Sequence, residues 1–123
     1  RREAAMVKNM GEISMLYDFY GELLTKRQKD VLEYYYGDDY TLGEIAEMAG
    51  ISRQAVYDTV RKAEKSLRSY ESRLGLVERF RRTKDQTDRI SAMLDEMISS
   101  ADDDVLAAKL TDVRDIIEGL DEE

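Results

Sequence analysis

Thr41-Leu-Gly-Glu-Ile-Ala-Glu-Met-Ala-Gly50-Ile-Ser52-Arg-Gln-Ala-Val-Tyr-Asp-Thr-Val60-Arg-Lys-Ala-Glu-Lys-Ser-Leu67 is the stretch on which the reading of this fold turns. Thr41-Leu-Gly-Glu44 has the form of a capping box, in which a threonine hydroxyl and a glutamate side chain satisfy exposed amides at a helix start. It opens a short helix over Leu42 to Met48, and Gly50 marks its end, since glycine readily takes the left-handed backbone of a helix stop. Ser52 is a good N-cap for the next helix, with Val56, Val60, Ala63 and Leu67 at the spacing of one buried face. A turn of about four residues between two helices, with small Ala46 allowing close approach, predicts a helix-turn-helix.

Outward from this stretch the signals remain helical. Met6, Met10, Ile13, Tyr17, Tyr20 and Leu24 recur at steps of four and three, with Leu16, Phe19 and Leu23 widening the stripe, which predicts a helix from about Glu3 to Gly21. Thr25-Lys-Arg-Gln28 is another capping box, opening a helix to about Tyr36 that stops at Gly37. Three consecutive tyrosines, Tyr34 to Tyr36, point in different directions on a helix, so they predict core and junction packing more than base stacking. Beyond Leu74, the polar run from Arg81 to Arg89 precedes an apolar stripe of Ile90, Leu94, Met97 and Ala101. A last helix from about Asp102 carries Leu106, Leu110, Val113, Ile117 and Leu120 on one side. These stripes predict an interaction surface and a homodimer.

The expected fold is all-α. A helix-turn-helix core with an N-terminal helix occupies residues 1–75, and a helical dimerisation or interaction extension with an acidic end occupies residues 76–123. Composition agrees: the 123 residues contain no proline and seven glycines, so little forces the backbone out of a helix.

The chain has neither cysteine nor histidine, which removes thiol nucleophiles, imidazole bases, the usual zinc ligands and disulfides. No convergent acid, base and nucleophile can be named, so neither an enzyme nor a cofactor is expected. The acidic clusters Asp38-Asp39 and Asp102-Asp103-Asp104 read as turn chemistry and helix-dipole complementation rather than metal sites. No apolar run approaches the ~20 residues of a membrane span, and no signal-like stretch follows Arg1-Arg2-Glu3. A cytoplasmic protein without membrane insertion is expected.

The net charge of −8 is unfavourable for a nucleic-acid binder until it is located. Residues Ser100 to Glu123 hold nine acidic and two basic residues, a balance of −7, whereas Ser52 to Leu74 hold six basic and three acidic, a balance of +3. The acidic end is expected to act as a brake on polyanion binding. If the second helix enters a major groove, its exposed first turns carry the contacts. Arg53 suits guanine and Gln54 adenine, Ser52 a phosphate at the helix N-terminus, and Tyr57, Arg61 and Lys62 the remaining contacts. Asp58 opposes this reading, because phosphates repel a carboxylate there.

Leu-Tyr-Asp-Phe-Tyr (16–20), Leu-Leu-Thr-Lys (23–26), Asp-Asp-Tyr-Thr-Leu-Gly-Glu-Ile-Ala-Glu (38–47) and Ser-Arg-Gln-Ala-Val-Tyr-Asp (52–58) closely resemble the bacterial YlxM family. The resemblance runs from about Met10 to Phe80. It implies a fold like the fourth region of sigma factors, of the winged-helix-like class. It also implies a regulatory or accessory role beside the signal recognition particle and its receptor, with which the family is associated through gene neighbourhood. By that likeness the recognition helix is Ser52 through Leu67. Ala55, Tyr57 and Asp58 depart from the basic or polar residues frequent in sigma factors, and the other sigma regions are missing. DNA, the particle's RNA and its GTPase all remain candidate targets.

Overall fold

The computed structural model describes residues 10–120. The expected helix start near Glu3, Met6 of the first stripe, the charged start Arg1-Arg2-Glu3 and the terminal Asp121, Glu122 and Glu123 lie outside them. The architecture is all-α: α1 (Met10–Tyr20), a tight turn Gly21–Leu23, α2 (Lys26–Leu32) with a widened last turn Glu33–Gly37, α3 (Leu42–Ala49), α4 (Arg53–Leu74), α5 (Leu76–Ser100) and α6 (Asp104–Leu120). There is no strand among the described residues, and so no wing among them.

The described residues fall into two compact units, divided between Val77 and Glu78. In the first, α4 is the central element against which α1, α2 and α3 pack. Val56, Val60, Ala63 and Leu67 of α4 are completely enclosed, as the heptad-like spacing required. They meet Ile13, Leu16 and Tyr20 of α1, Val31 and Leu32 of α2, and Leu42, Ile45 and Ala46 of α3 in one core. Burial of each such aliphatic side chain is worth about 1.5–3 kcal/mol. The stripe on α1 is narrower than its sequence suggested: Met10 and Phe19 stay exposed, because they sit to the side of the arc through Ile13, Leu16 and Tyr20, and Leu23 is exposed on the turn that follows.

Both threonine capping boxes form, Thr25 with Gln28 and Thr41 with Glu44. The tyrosine segment is less regular than a plain helix. The Asp38 amide donates to the Glu33 carbonyl at 3.0 Å, a bond spanning five residues rather than four, of the kind that marks a π-bulge. This extra residue turns Tyr35 and Tyr36 into the core while Tyr34 stays exposed and stacks near Tyr40 at 5.9 Å between ring centres.

A carboxylate deserves note inside this core. Glu64 is buried, accepts a hydrogen bond from the Tyr36 hydroxyl and lies 3.9 Å from Arg68. Arg68 also reaches Glu12 of α1 at 2.8 Å. The buried charge is therefore partnered, as a carboxylate out of water must be.

In the second unit, a three-residue link joins α5 to α6, and Asp95 pairs with Arg114 at 2.9 Å, so the two helices run antiparallel. Leu94 and Thr87 are buried, and Ser91, Ile98, Ala101, Ala107, Leu110, Arg114 and Ile117 are half-buried along the seam. This corrects the two expected stripes. Leu94, Leu110 and Ile117 belong to the seam, but Ile90, Met97, Leu106, Val113 and Leu120 are exposed, together with Met93, Val105 and Ile116. Periodicity gives an apolar arc wider than one neighbouring helix can cover.

Candidate nucleic-acid interface

The recognition element is built by its caps. The Thr41 amide donates to Glu44 Oε1 at 2.9 Å and the Glu44 amide donates to Thr41 Oγ1 at 3.1 Å, which fixes where α3 starts. At its end Gly50 takes φ 68°, and the Ile51 amide donates to the Ala46 carbonyl at 3.1 Å. That is a Schellman stop, which needs a residue able to adopt positive φ. Ile51 then packs against the core, and Ser52 accepts a hydrogen bond from the Ala55 amide at 3.0 Å to start α4. Two residues, Ile51 and Ser52, thus separate the glycine from the next helix.

Of the six expected contact residues, Ser52, Arg53, Gln54, Arg61 and Lys62 are exposed and Tyr57 is half-buried. Gln54, Arg61 and Lys62 lie on the side of α4 away from Val56, Val60 and Leu67, whereas Ser52, Arg53 and Tyr57 are nearer the buried face. The Ser52 hydroxyl spends a lone pair on its cap and keeps its hydrogen to donate. Tyr57 packs against the core cluster, so its ring is partly committed to structure.

Arg53 and Gln54 are already engaged. The Arg53 side chain lies back over α3: a β-carbon placed on Gly43 would sit 3.6 Å from Arg53 Nε. The Gln54 amide nitrogen donates to Asp58 Oδ1 at 2.8 Å, one helical turn on. The Gln54–Asp58 bond falls at the four-residue interval at which such pairs form on a helix, whereas the placement of Arg53 depends on its rotamer. The residues of the α4 face with no engagement of this kind are Arg61 and Lys62, with Lys65 beside them. All three are exposed, and none forms an ion pair with any described residue. Lys65 was counted in the local charge but not singled out as a contact; it lies one turn beyond Arg61, and that four-residue interval was the available signal. Arg68, by contrast, is tied to Glu12 and Glu64. Free cations therefore cluster from the third turn of α4, and the side chains suited to base edges in the first turn are occupied within the protein.

An apolar groove of about 470 Å³ runs between α1 and α2, lined by Ile13, Tyr17, Leu32 and Tyr36 among others. Its carboxylate, Glu33, accepts a hydrogen bond from the Tyr17 hydroxyl at 2.5 Å. Among the described residues there is no group of three or more acidic side chains placed to hold a metal ion. None of their helices is long and apolar enough to cross a membrane.

Comparison with known proteins agrees with this geometry. Residues 7–105 match the UPF0122 family, described as "Putative helix-turn-helix protein, YlxM / p13 like". The chain is similar to a UPF0122 protein of Thermoanaerobacter pseudethanolicus, 51% identical over 78 residues, covering 63% of this chain and 67% of that one. Another, from Limosilactobacillus reuteri, is 51% identical over 84 residues, covering 68% and 74%. A third, from Listeria innocua, is 43% identical over 89 residues, covering 72% and 81%. With this match over most of its length and a helix-turn-helix formed as its capping residues dictate, the chain belongs to the YlxM / p13-like family of helix-turn-helix proteins.

Proposed function

We propose that this protein is a nucleic-acid-binding regulatory or accessory protein of the signal recognition particle pathway, acting in the cytoplasm as a homodimer and carrying out no catalysis. The observation that carries the nucleic-acid part is the face of α4: Arg61, Lys62 and Lys65 project from it without an ion-pair partner among the described residues, opposite a face wholly committed to the core. Ser52 at the N-terminus of α4 and this row of cations suit successive phosphates along one backbone. Ser52, Arg53, Gln54, Tyr57, Arg61 and Lys62 form the contact surface, extended by Lys65. The link to the pathway rests on the likeness to the YlxM family.

A second reading has an observation in its favour. With Gln54 held by Asp58 and Arg53 lying over Gly43, the usual base-reading positions are occupied, which suits a module that binds the particle's GTPase without DNA. Titrating the purified protein separately with duplex DNA, with the particle's RNA and with the purified GTPase decides between them. Salt-dependent binding to DNA or RNA that weakens on Lys62→Ala supports the first reading. Binding to the GTPase alone, unaffected by Lys62→Ala, replaces it with the second.

A further inference from the structure

We infer that the groove between α1 and α2 is a docking site for a basic amphipathic helix of a protein partner, with an apolar side chain on its floor and a lysine or arginine at Glu33. It uses none of the α4 residues assigned above to nucleic acid, so each reading can fail without the other.

Small residues keep the groove open, and two tyrosine hydrogen bonds hold its walls. Gly11 and Ser14, three apart on α1, line one wall, and Gly37 lies at the end of the other. Among the described residues, no atom lies within 4 Å of a β-carbon placed on Gly11 or Gly37, so packing closes neither wall. Ile13 and Leu32, 1% and 2% exposed, form the floor. Tyr17 donates its hydroxyl proton to Glu33 at 2.5 Å, and Tyr36 donates to Glu64 of α4. Walls fixed in this way before binding lower the ordering cost of an occupant. The volume of about 470 Å³ falls within the range of sites that enclose a bound group.

Charge selects the occupant. Glu33 is the single charged residue among the described ones lining the groove, and among the described residues its carboxylate pairs with no cation. Cations on the surrounding helices are held elsewhere: Lys26 by Asp30, Lys29 by Glu22, and Arg68 by Glu12 and Glu64. Residues 10–40 hold seven acidic and three basic side chains, and the three basic and one acidic of residues 1–9 leave the balance negative. A carboxylate beside an aliphatic floor and two aromatic rings is complementary to a cation on an apolar stem. The stem packs on Ile13 and Leu32, and the head meets Glu33, where the neighbouring rings add to its attraction. Along α1 the lining runs from Met10 to Tyr17, about 10 Å. That length matches two turns of a docked helix, which presents anchors four residues apart on one face.

Fluorescence anisotropy on the full chain tests this with two labelled, end-capped peptides of about 16 residues, long enough to be helical. One carries leucine and lysine four residues apart on a single face of an alanine and glutamine helix, and in the other glutamate replaces lysine. The lysine peptide should bind with a Kd on the order of 100 μM, and the glutamate peptide roughly tenfold more weakly. Glu33→Gln keeps an acceptor for Tyr17 and should weaken the lysine peptide roughly fivefold. Asp85→Asn, which removes the same charge from an exposed site on α5, should not. Gly11→Leu fills the groove at a helical position that leucine favours, so it should keep far-ultraviolet helicity and abolish binding. Ser14→Leu is a second filling variant, and if both lose helicity the comparison of Glu33→Gln with Asp85→Asn decides. A parent that binds neither peptide at about 1 mM, or binds both equally, overturns the proposal. Equal weakening by Glu33→Gln and Asp85→Asn overturns the cation site, and a helical filling variant that binds like the parent overturns the groove.

Discussion

The Tyr20 hydroxyl donates to the Glu71 carboxylate at 2.6 Å, joining residues 51 apart in the chain. Together they cap the start of α5: the Leu76 amide donates to the Tyr20 hydroxyl at 3.1 Å, and the Val77 amide to Glu71 Oε1 at 3.0 Å. Gly75, at φ 64°, ends α4 immediately before. Two helix ends that meet at one residue would otherwise leave amides unsatisfied near a core where Tyr20 is 1% exposed. Tyr20→Phe removes the bridging oxygen and keeps the ring. It should destabilise the first unit by about 1–3 kcal/mol, read as a lower urea midpoint at constant m-value.

Gly50 is the backbone test. No atom lies within 4 Å of a β-carbon placed there, so a substitution meets no steric clash and its cost is conformational. At φ 68°, Gly50→Val should lose on the order of 1 kcal/mol or more and Gly50→Asn distinctly less. Equal losses from both, measured by denaturant titration, would show that the left-handed stop is not what matters at this position.

The parts of the fold that were legible in the sequence are those fixed by neighbours. Thr25, Thr41 and Ser52 cap the helices they precede, Gly50 stops α3, and Val56, Val60, Ala63 and Leu67 are buried, because each depends on residues three or four apart. The widened turn at Glu33–Gly37 was not legible, since a one-residue insertion into a helical ladder leaves no periodic trace among consecutive tyrosines. The Tyr20–Glu71 cap was hidden by its separation in the chain. On the candidate site, the sequence placed the exposed face of α4 but not the withdrawal of Arg53. In the hairpin it placed the apolar stripes, while their division between seam and open face depended on where the partner helix lies.

Alkaline pH should destabilise the first unit. Burial, then a hydrogen bond to Glu71, pushes the Tyr20 phenol above its ordinary value, and burial with a hydrogen bond to Glu64 does the same at Tyr36. These phenols hold their protons longer in the folded state than in the unfolded one, whose tyrosines titrate near about pH 10. Their stabilising contribution is complete below that value and is lost as pH rises through the higher folded values. Stability should therefore fall above roughly pH 10, less steeply in Tyr36→Phe, as followed by circular dichroism on the folded variant.

Asp58 should limit nucleic-acid binding in two separable ways. Asp58→Asn removes a charge facing the phosphates but keeps an acceptor for Gln54, so it should tighten binding to all sequences by roughly fivefold at low salt, about 1 kcal/mol. Asp58→Ala also releases Gln54 and should add discrimination among sequences. Identical effects of the two variants in competition gel shifts would assign no role to the Gln54–Asp58 bond.

The acidic end supplies a similar test through charge alone. Neutralising Asp121, Glu122 and Glu123 lowers the net charge of the chain from −8 to −5 and should raise affinity for duplex DNA at low salt. Unchanged affinity would remove the acidic end as a brake.

The central claim, that Arg61, Lys62 and Lys65 of α4 dock on a nucleic-acid backbone, is tested most directly by the salt dependence of binding. Anisotropy titrations of labelled duplex DNA and of structured RNA, each at several salt concentrations, compare the parent with the triple alanine variant. For three phosphates neutralised on a duplex, log K against log salt should slope at roughly −3 in the parent. The triple variant should bind weakly with a slope near zero and with its helicity intact. A folded triple variant that keeps the parent's affinity and slope on both nucleic acids, or a parent that binds neither, contradicts the account.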